Sequence, residues 1–409
     1  MVQIREINTK KDMRKFAKFP LELYRGCAQY VPNIYADEVN LLDEKRNPAL
    51  EQSEVRCYLA YKEGKLVGRI AAILQKKHNE ISGGRYMRFS RFDCIDDAET
   101  AAALIGAVES FARERGMTAV HGPWGFNDQD REGLLVEGFG LRATYATNYN
   151  YPYYEKLVQA QGYSLESEWV EYAFSIPTRL HERIVRVADF VQKKFELREL
   201  AEAVPMSKLI ARYGRRALAL VNEAYAPLDC YVPVEGRIAD GILKKFATVI
   251  NPRYFSLLVD KNGEVVAIAV LLPSICEPLR ASGGRMTPRT LLRILRAIKT
   301  ETELEMVLIA VRKDYKKKGV NAVMMARIIR NLIEDGITYI ESNPILVKNV
   351  AVQEQWEMHD CENVKRRRCY IKQIAAEGDA ALELAREAAV SEVPPAPCAH
   401  TPPIGIKTA

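Results

Sequence analysis

The sequence predicts an α/β fold with a mixed sheet, built as two copies of one unit. Three observations point there. Short apolar strands alternate with helical stretches along most of the 409 residues. Matching segments recur in the same order in the two halves. No apolar run reaches the roughly 20 residues that span a bilayer, so the cores are those of a water-soluble protein.

The recurrences begin with Ile4-Arg-Glu-Ile7, which returns as Leu197-Arg-Glu-Leu200. Glu63-Gly-Lys-Leu-Val-Gly-Arg-Ile-Ala-Ala-Ile-Leu74 returns as Asn262-Gly-Glu-Val-Val-Ala-Ile-Ala-Val-Leu-Leu272. Each puts a glycine turn between two apolar strands, the pattern of a β-hairpin. Arg115-Gly-Met-Thr-Ala-Val120 returns as Asp335-Gly-Ile-Thr-Tyr-Ile340, a helix-ending glycine followed by a strand. Strands are expected near 2–8, 55–62, 66–75, 85–94, 117–122 and 169–175, then near 195–200, 254–260, 264–273, 304–311, 337–342 and 368–374. The units therefore run 1–175 and 195–375, with a linker at 176–194. Residues 376–409 read as a helical stretch followed by a proline-rich disordered tail.

Composition narrows the function classes. Eight cysteines without CxxC spacing and five histidines favour neither a zinc site nor a disulfide framework, so a reducing cytoplasm is expected. Residues 1–7 alternate like a strand and have no signal-peptide character. The net charge of +6 is mild, but Arg312 to Lys318 and Lys365-Arg-Arg-Arg368 concentrate it into two basic runs, either solvated surface or contacts to a polyanion.

The first basic run carries the sharpest signal. Leu304 to Val311 reads as a strand, Arg312 to Lys318 as a basic loop, and Gly319 as the opening of a helix. Helix N-termini present unpaired N–H groups and partial positive charge, which suits a diphosphate. Lysines at a helix start oppose the dipole unless an anion sits there. Aligned at Gly116 and Gly336, Lys316-Lys-Lys-Gly-Val320 falls opposite Asp96-Asp-Ala-Glu-Thr100, so the first copy carries carboxylates where the second carries lysines. Only the second copy is expected to hold the anion, while the acidic segment suits a helix cap.

This strand–loop–helix, with Lys-x-x-Gly, resembles the acetyl-CoA loop of the GNAT (GCN5-related N-acetyltransferase) superfamily. Gly122-Pro-Trp-Gly-Phe-Asn127, Gly133-Leu-Leu-Val-Glu-Gly-Phe139, Asn150-Tyr-Pro-Tyr-Tyr154 and Tyr315 to Ala322 together resemble tandem GNAT-like bacterial proteins of undefined substrate. The resemblance implies two tandem GNAT-like acyl-CoA N-acyltransferase domains, the first degenerate. It implies acetyl-CoA or another acyl-CoA as co-substrate, no metal, and a small-molecule or peptide amine as acceptor. Carried onto this sequence, the pantetheine arm falls to the backbone of Leu308, Ile309, Ala310 and Val311. The diphosphate falls to Lys316, Lys317, Lys318, Gly319, Val320, Asn321 and Ala322, and a further cofactor contact to Asn349. Where many members carry a tyrosine as general acid, this chain has Trp356.

Acyl transfer to an amine needs a base. Glu305, on the strand entering the loop, and Glu341, on the neighbouring strand, are the carboxylate candidates. Tyr370 is a candidate acid, as is Tyr339. His121 reads as a base or as a structural histidine. The five tyrosines from Tyr145 to Tyr154 read as a recognition surface or as packing between the halves. Two other functions fit the sequence. One is an aminoacyl-tRNA-dependent transferase in which Lys365 to Arg368 track phosphates. The other is a non-catalytic GNAT-derived binding protein.

Overall fold

The computed structural model describes residues 1–127, 130–350, 352–353 and 360–374. The expected tail and Trp356 lie outside them. The first half comprises β1 (Val2–Glu6), α1 (Lys10–Leu23), α2 (Tyr35–Val39), β2 (Ser53–Lys62), β3 (Lys65–Gln75), α3 (Lys76–Ser82), β4 (Tyr86–Cys94), α4 (Ala98–Glu114), β5 (Ala119–Gly122), β6 (Leu134–Glu137), α5 (Tyr153–Gln159) and β7 (Ser164–Ser175). Helix α6 (Glu182–Lys194) occupies the expected linker. It is followed by β8 (Arg198–Glu199), α7 (Met206–Tyr225), α8 (Gly236–Val249), β9 (Phe255–Val259), β10 (Val265–Pro273), α9 (Cys276–Ser282), α10 (Pro288–Thr300), β11 (Glu303–Val311), α11 (Val320–Glu334), β12 (Tyr339–Ser342), β13 (Ile345–Leu346) and β14 (Cys361–Gln373). None of the described helices is long and apolar enough to cross a membrane.

The elements form where local chemistry asks for them. The β2–β3 hairpin turns at Glu63 and Gly64, both with positive φ, which glycine adopts without cost. Asp97 caps α4, accepting from the Thr100 N–H at 3.0 Å and the Thr100 hydroxyl at 2.5 Å, while Lys62 neutralises it at 3.0 Å. The acidic segment of the first copy is thus a helix cap closed by an ion pair. In each half a helix covers the sheet with an apolar face: Leu104, Val108 and Phe111 of α4 in one, Val323, Met324 and Ile328 of α11 in the other.

All strands of the described residues join one mixed sheet in the order β1-β2-β3-β4-β5-β14-β7-β12-β11-β10-β9-β8, with β6 and β13 beside it. Both halves place a parallel pair at the same point, β4 with β5 and β11 with β12. Their last strands are exchanged. β7 closes the first stretch of sequence yet pairs with β12, Tyr339 opposite Ser175. β14 closes the second yet pairs with β5, Tyr370 opposite Gly122. The two crossing strands then pair antiparallel with each other and weld the halves into one sheet.

Candidate active site

β11 pairs with β10 along its length, but with β12 only from Glu303 to Met306. Its register against β10 slips between Leu271↔Met306 and Val270↔Leu308, which leaves Val307 as the extra residue of a β-bulge. Beyond the bulge β11 and β12 part, and the edge from Val307 to Val311 opens onto a cavity. Asn343 stands in the fork. Its N–H donates to the Met306 carbonyl and its Nδ2 to the Val307 carbonyl, each at 3.0 Å. Its buried Oδ1 has no partner among the described residues. Further out, the Tyr225 hydroxyl donates to the Ile309 carbonyl at 3.3 Å.

The strand leads into the basic loop and α11. Gly319 is the helix N-cap residue, with a φ of 79° that glycine takes readily and other residues rarely do. Among the described residues, the N–H groups of Gly319 and Val320 have no acceptor, as expected of a first helical turn. Lys316, Lys317, Gly319, Val320 and Asn321 line the cavity, as does Asn349 beyond β13. Two residues of the expected diphosphate set do not. The Ala322 N–H is already donated to the Gly319 carbonyl at 3.0 Å, because the helix ladder has begun there. Lys318 turns away, its ammonium over the rings of Phe195 and Tyr315 at 5.5 Å from each centroid. Leu308, Ile309, Ala310 and Val311 line the cavity.

Of the three catalytic candidates, only Glu305 lines the cavity. It is buried, and burial pushes its carboxyl above the usual range, against donations from the Cys276 thiol, the Tyr145 N–H and the Ser274 hydroxyl. Glu341 is off the wall. It is ion-paired with Lys365 and hydrogen-bonded by Tyr339, and burial raises its carboxyl to about 7 against the pull of Lys365. Tyr370 is also off the wall. The strand exchange carries it into the first half, where its hydroxyl donates to Glu155 of α5 at 2.5 Å. Both are parts of the sheet's polar interior, and neither faces the loop.

The second basic run is likewise structural. Lys365 pairs with Glu341, Arg366 with Glu137 and Glu168, Arg367 with Glu171, and Arg368 with Glu155 and Glu168. These are contacts across the β14 seam, and each cation is already matched with a carboxylate. Lys365 and Arg367 are buried, whereas Arg366 and Arg368 are half-buried, so the run offers two carboxylate-paired arginines rather than four free cations to the phosphates it was expected to track.

The cavity has a volume of about 1460 Å³ and draws its walls from both halves. From the β11 edge it runs along an apolar flank that includes Leu272, Ile275, Leu291, Ile294 and Ile298. At the other end the first half contributes a buried charge cluster. Arg69 donates to Asp93 at 2.7 Å and to Glu38 at 2.8 Å, and Arg91 reaches Glu38 at 2.9 Å. Burial would raise the Glu38 carboxyl, but the two guanidinium groups prevail and hold it at about 2. Tyr145 and Tyr149 line the cavity, whereas Tyr154 is packed in the first core beside Phe92. Tyr149 also packs in a cluster with Cys276, Leu279 and Ile294, so part of the run lies between the halves as one of its two expected roles required. His121 is fully buried away from the cavity and shares a 2.9 Å contact with Glu166. His121, Glu166 and Cys230 are the one group of potential metal ligands among the described residues. The Arg88 guanidinium, bonded to the Cys230 carbonyl at 2.7 Å, opposes a cation there. Nothing in the sequence spacing singles out Asn343, Tyr225 or the Glu38–Arg69 cluster, since each is positioned by a distant element.

No protein-family model matches the chain. It is 25% identical over 392 residues to Protein YghO of Escherichia coli (strain K12), across 91% of this chain and 95% of that protein. It is 24% identical over 289 residues to the bacterial ceramide synthase of Caulobacter vibrioides (strain NA1000 / CB15N), across 69% and 72% of the two chains. Among solved structures, a tandem GNAT protein from the clavulanic acid biosynthesis pathway superposes with a TM-score of 0.51 at 10% identity, over 91% of this chain and 98% of that one.

Proposed function

Starting from a chain with the tandem GNAT fold, we propose that the protein is an N-acyltransferase that moves a long acyl group from acyl-CoA to an amine carried on an apolar chain. The observation that carries this reading is the continuity of one cavity. It touches the Lys316–Asn321 loop, passes the unpaired edge of β11 and widens along an apolar flank. At about 1460 Å³ it exceeds the 300–1,000 Å³ or so of ordinary small-ligand pockets. A ceramide is the amide of a fatty acid with a long-chain amine, so the ceramide synthase relative supports the same chemistry.

In this reading the diphosphate of CoA lies on Lys316, Lys317 and the N–H groups of Gly319 and Val320. The pantetheine arm lies along Val307 to Val311, with Asn343 Oδ1 accepting from one of its amides. Glu305 takes a proton from the acceptor ammonium. The amine nitrogen then attacks the thioester carbon, the C–S bond breaks and CoA leaves, its sulfur protonated by the Tyr225 hydroxyl, whose phenolate takes up the surplus proton of the newly bonded nitrogen. The acidic first half binds no CoA and supplies the charge cluster that receives the polar head of the acceptor.

The test is a titration of the protein with acyl-CoAs of increasing chain length, followed by mass spectrometry of reactions with long-chain amines. Affinity should rise with chain length, and an amide product should form with release of CoA thiol. A folded protein that binds neither acetyl-CoA nor a long acyl-CoA would sink the proposal.

A further inference from the structure

We propose that α10 docks the protein on an anionic membrane surface, with the mouth of the cavity against the lipid. The helix is well founded, with Thr287 as N-cap and Pro288 at its first position. Its circumference divides into three. Thr290 and Ile294 are buried, Ile294 in a cluster with Cys276 and Leu279 of α9. Leu291, Leu292 and Leu295 are exposed, Leu292 at 68%. Arg289, Arg293, Arg296 and Lys299 are exposed too, and none makes an ion pair among the described residues. No acidic residue occurs from 278 to 300.

At 100° per residue the exposed leucines fall between the buried stripe and the three arginines, with Lys299 among the leucines, where its long stem can lift the ammonium to the headgroups. That is the arrangement of a helix lying in a membrane interface, with leucines towards the acyl region and cations at the headgroups. No carboxylate lies one turn from any of these arginines to offset its charge within the helix. The cations select the occupant: an anionic lipid surface complements them and an apolar protein face does not.

A second observation ties the helix to the cavity. Leu291, Leu295 and Met286 are exposed and also line the cavity, so its apolar wall continues onto the outer surface at this point. A chain leaving the bilayer could enter here without crossing water. This last consequence rests on the long-chain reading of the cavity; the docking itself does not.

The experiment is flotation of the full chain with vesicles of phosphatidylcholine alone or mixed with phosphatidylglycerol, at low and high salt. Wild type should float with the mixed vesicles, and high salt or removal of the anionic lipid should release it. Leu292→Glu and the double variant Arg289→Glu/Arg293→Glu lie off the cavity wall. Each should weaken vesicle binding on the order of tenfold or more while keeping the wild-type melting temperature and the wild-type rate with water-soluble substrates. A folded wild type that does not float overturns the docking, as do variants that float like wild type. So does a wild-type dimer that ignores vesicles and dissociates on Leu292→Glu, which would give the surface to a second copy. Vesicle binding without acyl transfer to any amine would uphold docking and sink the enzymatic proposal.

Discussion

Asn343 bonds the Val307 carbonyl at the point where two parallel strands separate, and its buried Oδ1 has no partner among the described residues. A buried amide oxygen left unpaired is costly, on the order of 1–3 kcal/mol, unless a ligand completes it. Asn343→Leu keeps the size and removes the acceptor. Acyl-CoA affinity should fall by about 1–2 kcal/mol, roughly five- to thirtyfold in Kd by calorimetry, and the melting temperature should drop as well because the Nδ2 bond to the Val307 carbonyl is lost. Unchanged affinity would place the pantetheine arm elsewhere.

The proposed diphosphate loop can be tested at its glycine. A Cβ on Gly319 would come within 3.1 Å of Val191 Cγ2, at a φ of 79°. Gly319→Ala should therefore cost about 1–2 kcal/mol of stability. Gly319→Glu adds a carboxylate where the diphosphate would lie and copies the residue of the first half. The heat of acetyl-CoA binding should vanish in a protein that still melts cooperatively. Binding retained by the glutamate variant would exclude this helix as the diphosphate site.

Glu305 makes a pH prediction. Burial raises its carboxyl above the ordinary range, and a base works only when deprotonated. The rate should therefore climb with pH up to that raised pKa and then level. Glu305→Gln should lose the limb and lower kcat by roughly 10²–10⁴. A glutamine variant with the wild-type pH profile would remove Glu305 from the chemistry.

Glu38 makes a stability prediction with the opposite sign. Its folded pKa of about 2 lies below the unfolded value near 4.3. The charged form is favoured by the fold, so the stabilisation is complete above the unfolded value and is lost as pH falls from about 4 towards 2. The window corresponds to roughly 3 kcal/mol. Glu38→Gln should flatten the acid limb of a denaturation series and destabilise the protein at neutral pH, where Arg69 and Arg91 would lose their buried partner. An unchanged acid limb would assign the titration to another carboxylate.

The second-half loop was legible because its cause is local: three lysines and a glycine between an apolar strand and a helix. The acidic cap at Asp97 was legible for the same reason. Asn343 was not, because an asparagine in a short loop acquires a role only when β11 diverges from β12 beside it. Tyr370 and Glu341 carried suitable chemistry at suitable distances along the chain, yet their partners Glu155 and Lys365 turn them into the sheet. Lys365 to Arg368 looked like a polyanion surface until the seam matched each with a carboxylate.

The sequence by itself determined the recurring segments of the two halves, most of their strands and the basic loop before α11, since periodicity, turn residues and helix ends act over a few residues; β6 and β13 it did not show. The tertiary structure decided which strand lies beside which. Either β7 or β14 could satisfy the hydrogen bonds of β5 or β12, because a strand's backbone groups are the same whatever its neighbour. Only the packed sheet selects the exchange. That exchange joins the halves, sets the β14 cations among carboxylates and leaves between the halves the cavity on which the proposed function depends.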